Sequence, residues 1–204
     1  MFFTVGTFCS IITAVWAFYG AWYFPLEYGN ENSVIEWAQI YVLAFGALLM
    51  IAANIFSLLN SNMKKVFLSA IPFWLVMAGR ELSWGRALYH TGTDQLIAKS
   101  ELWYFPYVYP AVAAMLIIAL WGMYRGKVFS EMKSYFRYGK MPWLEMFVLV
   151  LSIGLSAYFD KAPMERAHVY EELSELVVYS TMVFLAMDIA YARKVQPVKP
   201  KYHF

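Results

Sequence analysis

The chain has 204 residues, of which 61% are hydrophobic and 20% aromatic, and its mean hydropathy is positive. Only 15% are charged, against roughly 25% in an ordinary soluble domain. That deficit, with apolar runs of membrane-spanning length, excludes a soluble globular domain; the single cysteine, Cys9, excludes an intrachain disulfide.

Taken in order, the apolar runs predict six transmembrane helices, over 3–24, 33–58, 66–89, 107–124, 143–159 and 167–192. The first has no basic leader and is too long for a signal-peptide core, so it reads as a retained helix. Polar breaks separate the runs, and a basic tail follows the last. The expectation is an all-α polytopic bundle: one membrane domain over 1–192 and a cytoplasmic tail over 193–204.

Basic residues set the orientation. Lys64, Lys65, Arg125, Lys127, Lys133, Arg137, Lys140, Arg193, Lys194, Lys199 and Lys201 all fall in alternate loops and the tail. These segments, and both termini, are therefore expected on the cytoplasmic side of a cell membrane. The loop Arg125–Lys140 interleaves basic and aromatic residues, which suits a segment lying on anionic lipid. Most acids fall on the opposite side, and acids do not set topology. The string Trp-Tyr-Phe-Pro at 22–25 and again at 103–106 marks two outer boundaries as an aromatic belt.

Three helices carry polar residues where lipid would penalise them. In the last helix Glu165, His168, Glu172, Glu175 and Tyr179 recur at steps of three and four, which places them on one helix face. In the second, Asn32, Glu36 and Gln39 share a face. The third brings Arg80, Glu81, Ser83, Trp84 and Arg86, with His90 beyond, and Pro72 is expected to bend it. A charge at helix-centre depth costs about 2.5–3.5 kcal/mol on insertion scales, so these groups must pair or line a wet cavity.

The expectation is an outward-facing pocket of Glu36, Gln39, Arg80, Glu81, His168, Glu172 and Glu175, with Arg80, Arg86 and Arg166 available to neutralise carboxylates. Glu145 and Asp188, at the inner ends, read as interface residues with basic neighbours.

Carboxylates with imidazole suit cation binding, of a proton or a divalent metal. This leads to transport or coupling of a cation as the first reading. The rival is a metal-dependent enzyme acting on a lipid at the outer leaflet, with His90, His168 and Glu172 as ligands and a divalent metal ion as cofactor. A structural or assembly subunit of a membrane complex, with an oligomer or partner subunit beside it, is the third. Glu165-x-x-His168 has the spacing of di-iron bundles, but no second such motif exists. No phosphate loop, Ser-nucleophile motif or nucleic-acid-binding pattern occurs.

The segment Arg80-Glu81-Leu82-Ser83-Trp84-Gly85 resembles a helix motif of uncharacterised bacterial polytopic membrane proteins, in which Arg-Glu or an acidic pair precedes Ser-Trp-Gly. The resemblance implies a bacterial cytoplasmic membrane and no particular activity. Arg80 stands where some of those proteins have a second acid.

Overall fold

A computed structural model of the chain describes residues 4–30, 33–56, 59–89, 97–137 and 142–194; for 134–137 and 191–194 it describes the backbone only. The described residues form helices and turns, without a strand. In chain order the helices are α1 (Val5–Tyr23), α2 (Val34–Ile55), α3 (Ser61–Glu81), α4 (Phe105–Arg125), α5 (Val128–Arg137), α6 (Trp143–Phe159) and α7 (Ala167–Lys194).

Local chemistry starts three of these helices. Thr4 and Thr7 form a reciprocal capping box at the head of α1. Ser33 accepts from the Glu36 N–H to cap α2, and Asn60 accepts from the Met63 N–H at 2.8 Å to cap α3. Proline within the first two positions starts α4, where a missing N–H costs nothing. Each cap satisfies a donor that would otherwise be unpaired at a helix end.

Four helices, α1, α2, α4 and residues Ala167–Ala190 of α7, are long and apolar enough to cross a membrane. α6 is shorter but equally apolar in character. α3 carries Lys64, Lys65, Arg80 and Glu81 near its two ends, which lowers its hydropathy. Large apolar side chains lie open along the outside: Phe8, Trp16 and Phe18 on α1, Ile117, Ile118 and Trp121 on α4, Phe147 and Val150 on α6. A face this apolar is unstable against water and suits lipid.

α7 is the central element, touching α1, α2 and α6, while α3 joins α2 to the peripheral α4. One core lies between α2, α3 and α7, built from Leu43, Met50, Phe67, Trp74, Tyr179 and Val183. The second lies between α1 and α7, around Ala17, Ala21, Leu173 and Val177. Small residues on α1 bring its backbone close to α7, the usual way membrane helices gain contact without a hydrophobic driving force.

The third helix differs most from the sequence expectation. It ends at Glu81 instead of continuing to 89. Ser83 (φ 46°), Trp84 (φ 58°) and Gly85 (φ 89°) all occupy the left-handed region, and the chain reverses into a short turn over Ser83–Leu88. Two of those residues are not glycine, so sequence alone gave little sign of the stop. Pro72 sits inside α3, which remains one helix from Ser61 to Glu81. The basic loop after α4 holds a helix, α5, tied to α3 by the Asn62 side-chain amide donating to Glu131 at 3.2 Å.

Candidate functional site

The N-terminal ends of α2 and α7 and the C-terminal end of α3 meet at one end of the bundle. α3 brings Arg80 and Glu81 there as its last residues, just before the left-handed turn. That turn is held in place from two sides. The Trp84 ring lies against Gly79, where a Cβ would come within 2.7 Å of it. The Trp84 carbonyl accepts from the Tyr104 hydroxyl at 3.1 Å. Gly79 thus gives the ring its place, and the ring fixes where α3 stops.

Arg80 is the hub. Its Nη2 donates to Glu175 Oε2 at 2.6 Å and its Nε to Glu81 Oε1 at 3.0 Å. The Tyr179 hydroxyl donates to the same Glu81 oxygen at 2.7 Å. On α6, Ser156 donates to Glu175 Oε1 at 3.3 Å. Glu81 is nearly enclosed, with 6% of its side chain exposed, whereas Arg80 keeps 58% open. The buried carboxylate therefore depends on a partly open guanidinium and a buried phenol for its stabilisation.

One turn along α7, Glu172 faces α2. The Gln39 amide nitrogen donates both to the Glu172 carboxylate and to its backbone carbonyl, each at 2.8 Å. Gln39 is fully buried, and its Oε1 has no partner among the described residues. A buried acceptor left without a donor is costly unless a proton donor or cation visits it. Glu36, one turn before Gln39 on α2, belongs to the same end of the bundle.

The expected single stripe on α7 splits into two. Glu165 precedes the helix. His168 is 73% exposed on its side chain and pairs with Glu171 at 3.3 Å, away from Arg80. Only Glu172, Glu175 and Tyr179 turn inward. Of the expected neutralising arginines, only Arg80 engages carboxylates among the described residues. Arg166 donates to the Phe24 and Ala21 carbonyls and so caps the last turn of α1. The Arg86 Nε donates to the Ile97 carbonyl at 2.7 Å.

The expected metal set of His90, His168 and Glu172 is only partly visible, because His90 lies outside the described residues, as does Asn32. Among the described residues no group of three His, Cys, Asp or Glu side chains is arranged to hold a metal ion.

Glu145 and Asp188 form a second cluster. Among the described residues neither forms an ion pair, and the nearby basic side chains of Arg137, Lys140, Arg193 and Lys194 lie outside the described side chains. The two acids face each other across α6 and α7, with two threonines of α1 between them. Glu145 is 1% exposed. Sequence reasoning missed this cluster because its members come from three helices and share no spacing.

Comparison with models of protein families, with characterised proteins and with solved structures finds no match to this chain.

Proposed function

We propose that the chain is a six-span protein of a cell membrane that binds a cation, with the proton foremost, at the Arg80 end of the bundle and couples its passage to a conformational or transport step. The observation that carries this reading is the charge balance around Arg80. One guanidinium serves Glu81 and Glu175, and Glu172 beside them relies on a neutral amide. Carboxylates outnumber cations where lipid offers no counter-ion, and a proton restores neutrality at least cost. The orphaned Gln39 Oε1 supplies an acceptor for a proton-bearing visitor.

The six spans rest on α3 and α6 joining the four longer helices. Both run antiparallel to flanking spans, and α3's charges sit at its ends, where they reach the interface. Basic residues in alternate loops then put both termini in the cytoplasm and the Arg80 site at the outer side. α5, with its basic and aromatic residues, is read as lying on the anionic inner leaflet.

A divalent metal is the weaker cation. The one histidine described at this end is turned outward, and carboxylates engaged by Arg80 and Gln39 are not free to ligate. The reading of a metal-dependent enzyme acting on lipid loses ground for the same reason. A purely structural lock of α2, α3 and α7 draws on one specific observation, that Arg80 is paired on both sides.

The test is proton movement in proteoliposomes enclosing a pH-sensitive dye, with the Glu172→Gln, Glu175→Gln double variant beside the native chain. The expected result is flux in the native chain that the variant loses while keeping its helical content and thermal transition. Flux equal in both, or absent from the native chain, would overturn the reading in favour of the lock.

A further inference from the structure

At the opposite end of the bundle, the N-terminal ends of α1 and α6 meet the C-terminal part of α7. Thr4 Oγ1 contacts Glu145 Oε1 at 2.9 Å, Thr7 Oγ1 at 2.9 Å, and Asp188 Oδ2 more closely still. Thr7 Oγ1 also lies against Glu145 Oε1. The Thr4 hydroxyl thus bridges the two carboxyl groups, touching one oxygen of each. Gly6 makes this approach possible, since a Cβ there would collide with the Asp188 carboxyl.

Hydrogen-bond accounting exposes a deficit. An ionised carboxylate only accepts, and a hydroxyl has one proton to give. Thr4 and Thr7 bring one each, yet they face each other, Glu145 twice and Asp188 once. The Thr4 and Thr7 backbone N–H groups are turned to the threonine oxygens, so they relieve no carboxylate. Gly6 lies against the Asp188 carboxyl, and its backbone can add at most one further proton, the N–H. More oxygen contacts exist than protons to fill them.

A separate observation points the same way. Glu145 Oε2, on a side chain 1% exposed, has no hydrogen-bond partner among the described residues. An ionised carboxylate buried with an orphaned oxygen is among the most expensive groups a fold can hold. Every charged or titratable group described as facing the cluster from α1, α6 and α7 is one of these two acids. Among the described residues no cation pairs with either acid.

We propose that Thr4, Thr7, Glu145 and Asp188 form a proton-binding site, half-buried at Thr4 and Asp188 and enclosed at Thr7 and Glu145, with the proton held between the two carboxyl groups. The bound proton supplies the missing donor and removes one of two like charges. The proton is the only ligand that fits without displacement, because the carboxyl and hydroxyl oxygens are already in mutual contact. The site is separate from the Arg80 site: Glu175 and Asp188 are thirteen residues apart on one helix, about 20 Å at 1.5 Å per residue.

Infrared spectroscopy of purified protein tests this through the C=O stretch of a protonated carboxyl, which moves on exchange into D2O. The native chain is expected to show such a band at neutral pH. Glu145→Gln and Asp188→Asn should each remove the same component of it, and Glu172→Gln should leave that component in place, which separates it from any carboxyl protonated at the Arg80 site. A native chain without the band overturns the proposal and needs no variant to fold. So does a band left unchanged by both inner variants, or a cluster that instead gains thermal stability from added sodium or calcium in the native chain and loses that gain in Glu145→Gln.

Discussion

Arg80, the penultimate residue of α3, reaches across to Glu175 of α7 with Nη2 2.6 Å from Oε2 while its Nε holds the adjacent Glu81. One side chain thus spans two helices and serves an enclosed and a less enclosed acid at once. The two halves of this contact have unequal worth. Glu81 is almost without solvent, so losing its cation leaves a buried charge supported by Tyr179 alone. Glu175 keeps 18% of its side chain open and has Ser156 as well.

Arg80→Gln is expected to lower stability on the order of 2 kcal/mol, between the values for exposed and fully buried pairs. A double-mutant cycle with Glu175→Gln should return a coupling of only about 1 kcal/mol, because more than half of Arg80 is exposed. Thermal unfolding in detergent measures both. A coupling near zero would mean that the α3–α7 bridge holds nothing together.

The turn after α3 gives the second prediction. Gly79 lies under the Trp84 ring, and Trp84 cannot move aside freely. Its backbone is fixed in the left-handed region and its carbonyl is held by Tyr104. Gly79→Ala gains about 1 kcal/mol of helix propensity but forces the ring off its place, an overpacking cost of about 1–3 kcal/mol. The net expectation is a modest loss of stability with a change in Trp fluorescence, as the ring is pushed out. A variant more stable than the native chain, with unchanged fluorescence, would show that the ring does not depend on this contact.

Much of this architecture is legible in the chain itself. The apolar runs over 143–159 and from 167 onward coincide with α6 and the start of α7, and the others fall within a few residues at most ends. Burial of an apolar run needs only local composition, so it can be read locally. The convergence of Gln39, Arg80, Glu81, Glu172 and Glu175 was also readable, because each sits near the same end of its helix and lipid leaves polar groups no other company. Spacing could not decide which members of a stripe turn inward. His168 and Glu172 are one turn apart, yet one is open and the other meets Gln39, since the direction depends on where α2 and α3 lie. The end of α3 was hidden in two residues, Ser83 and Trp84, whose types rarely take a positive φ. The Glu145–Asp188 cluster was least legible, as an acid near basic loops looks like an interface residue until its neighbours are known.

The last prediction concerns the space between the two polar ends. Ser10, Ser152 and Thr181 are buried hydroxyl residues. Ser152 and Thr181 lie seven residues from Glu145 and Asp188, on the same helix faces and about 10 Å further along. Ser10 is at a similar distance from Thr4 on α1, which puts the three at one level between the inner cluster and Glu175. The Ser10 and Thr181 hydroxyls have no partner among the described residues. An unpaired buried hydroxyl costs about 1–3 kcal/mol, so Thr181→Val, which keeps the shape, should raise the unfolding temperature. If these hydroxyls relay protons between the two carboxylate sites, the same variant should also slow proton flux in proteoliposomes. A more stable protein with unchanged flux would leave Thr181 as packing alone, and the two proton sites as independent.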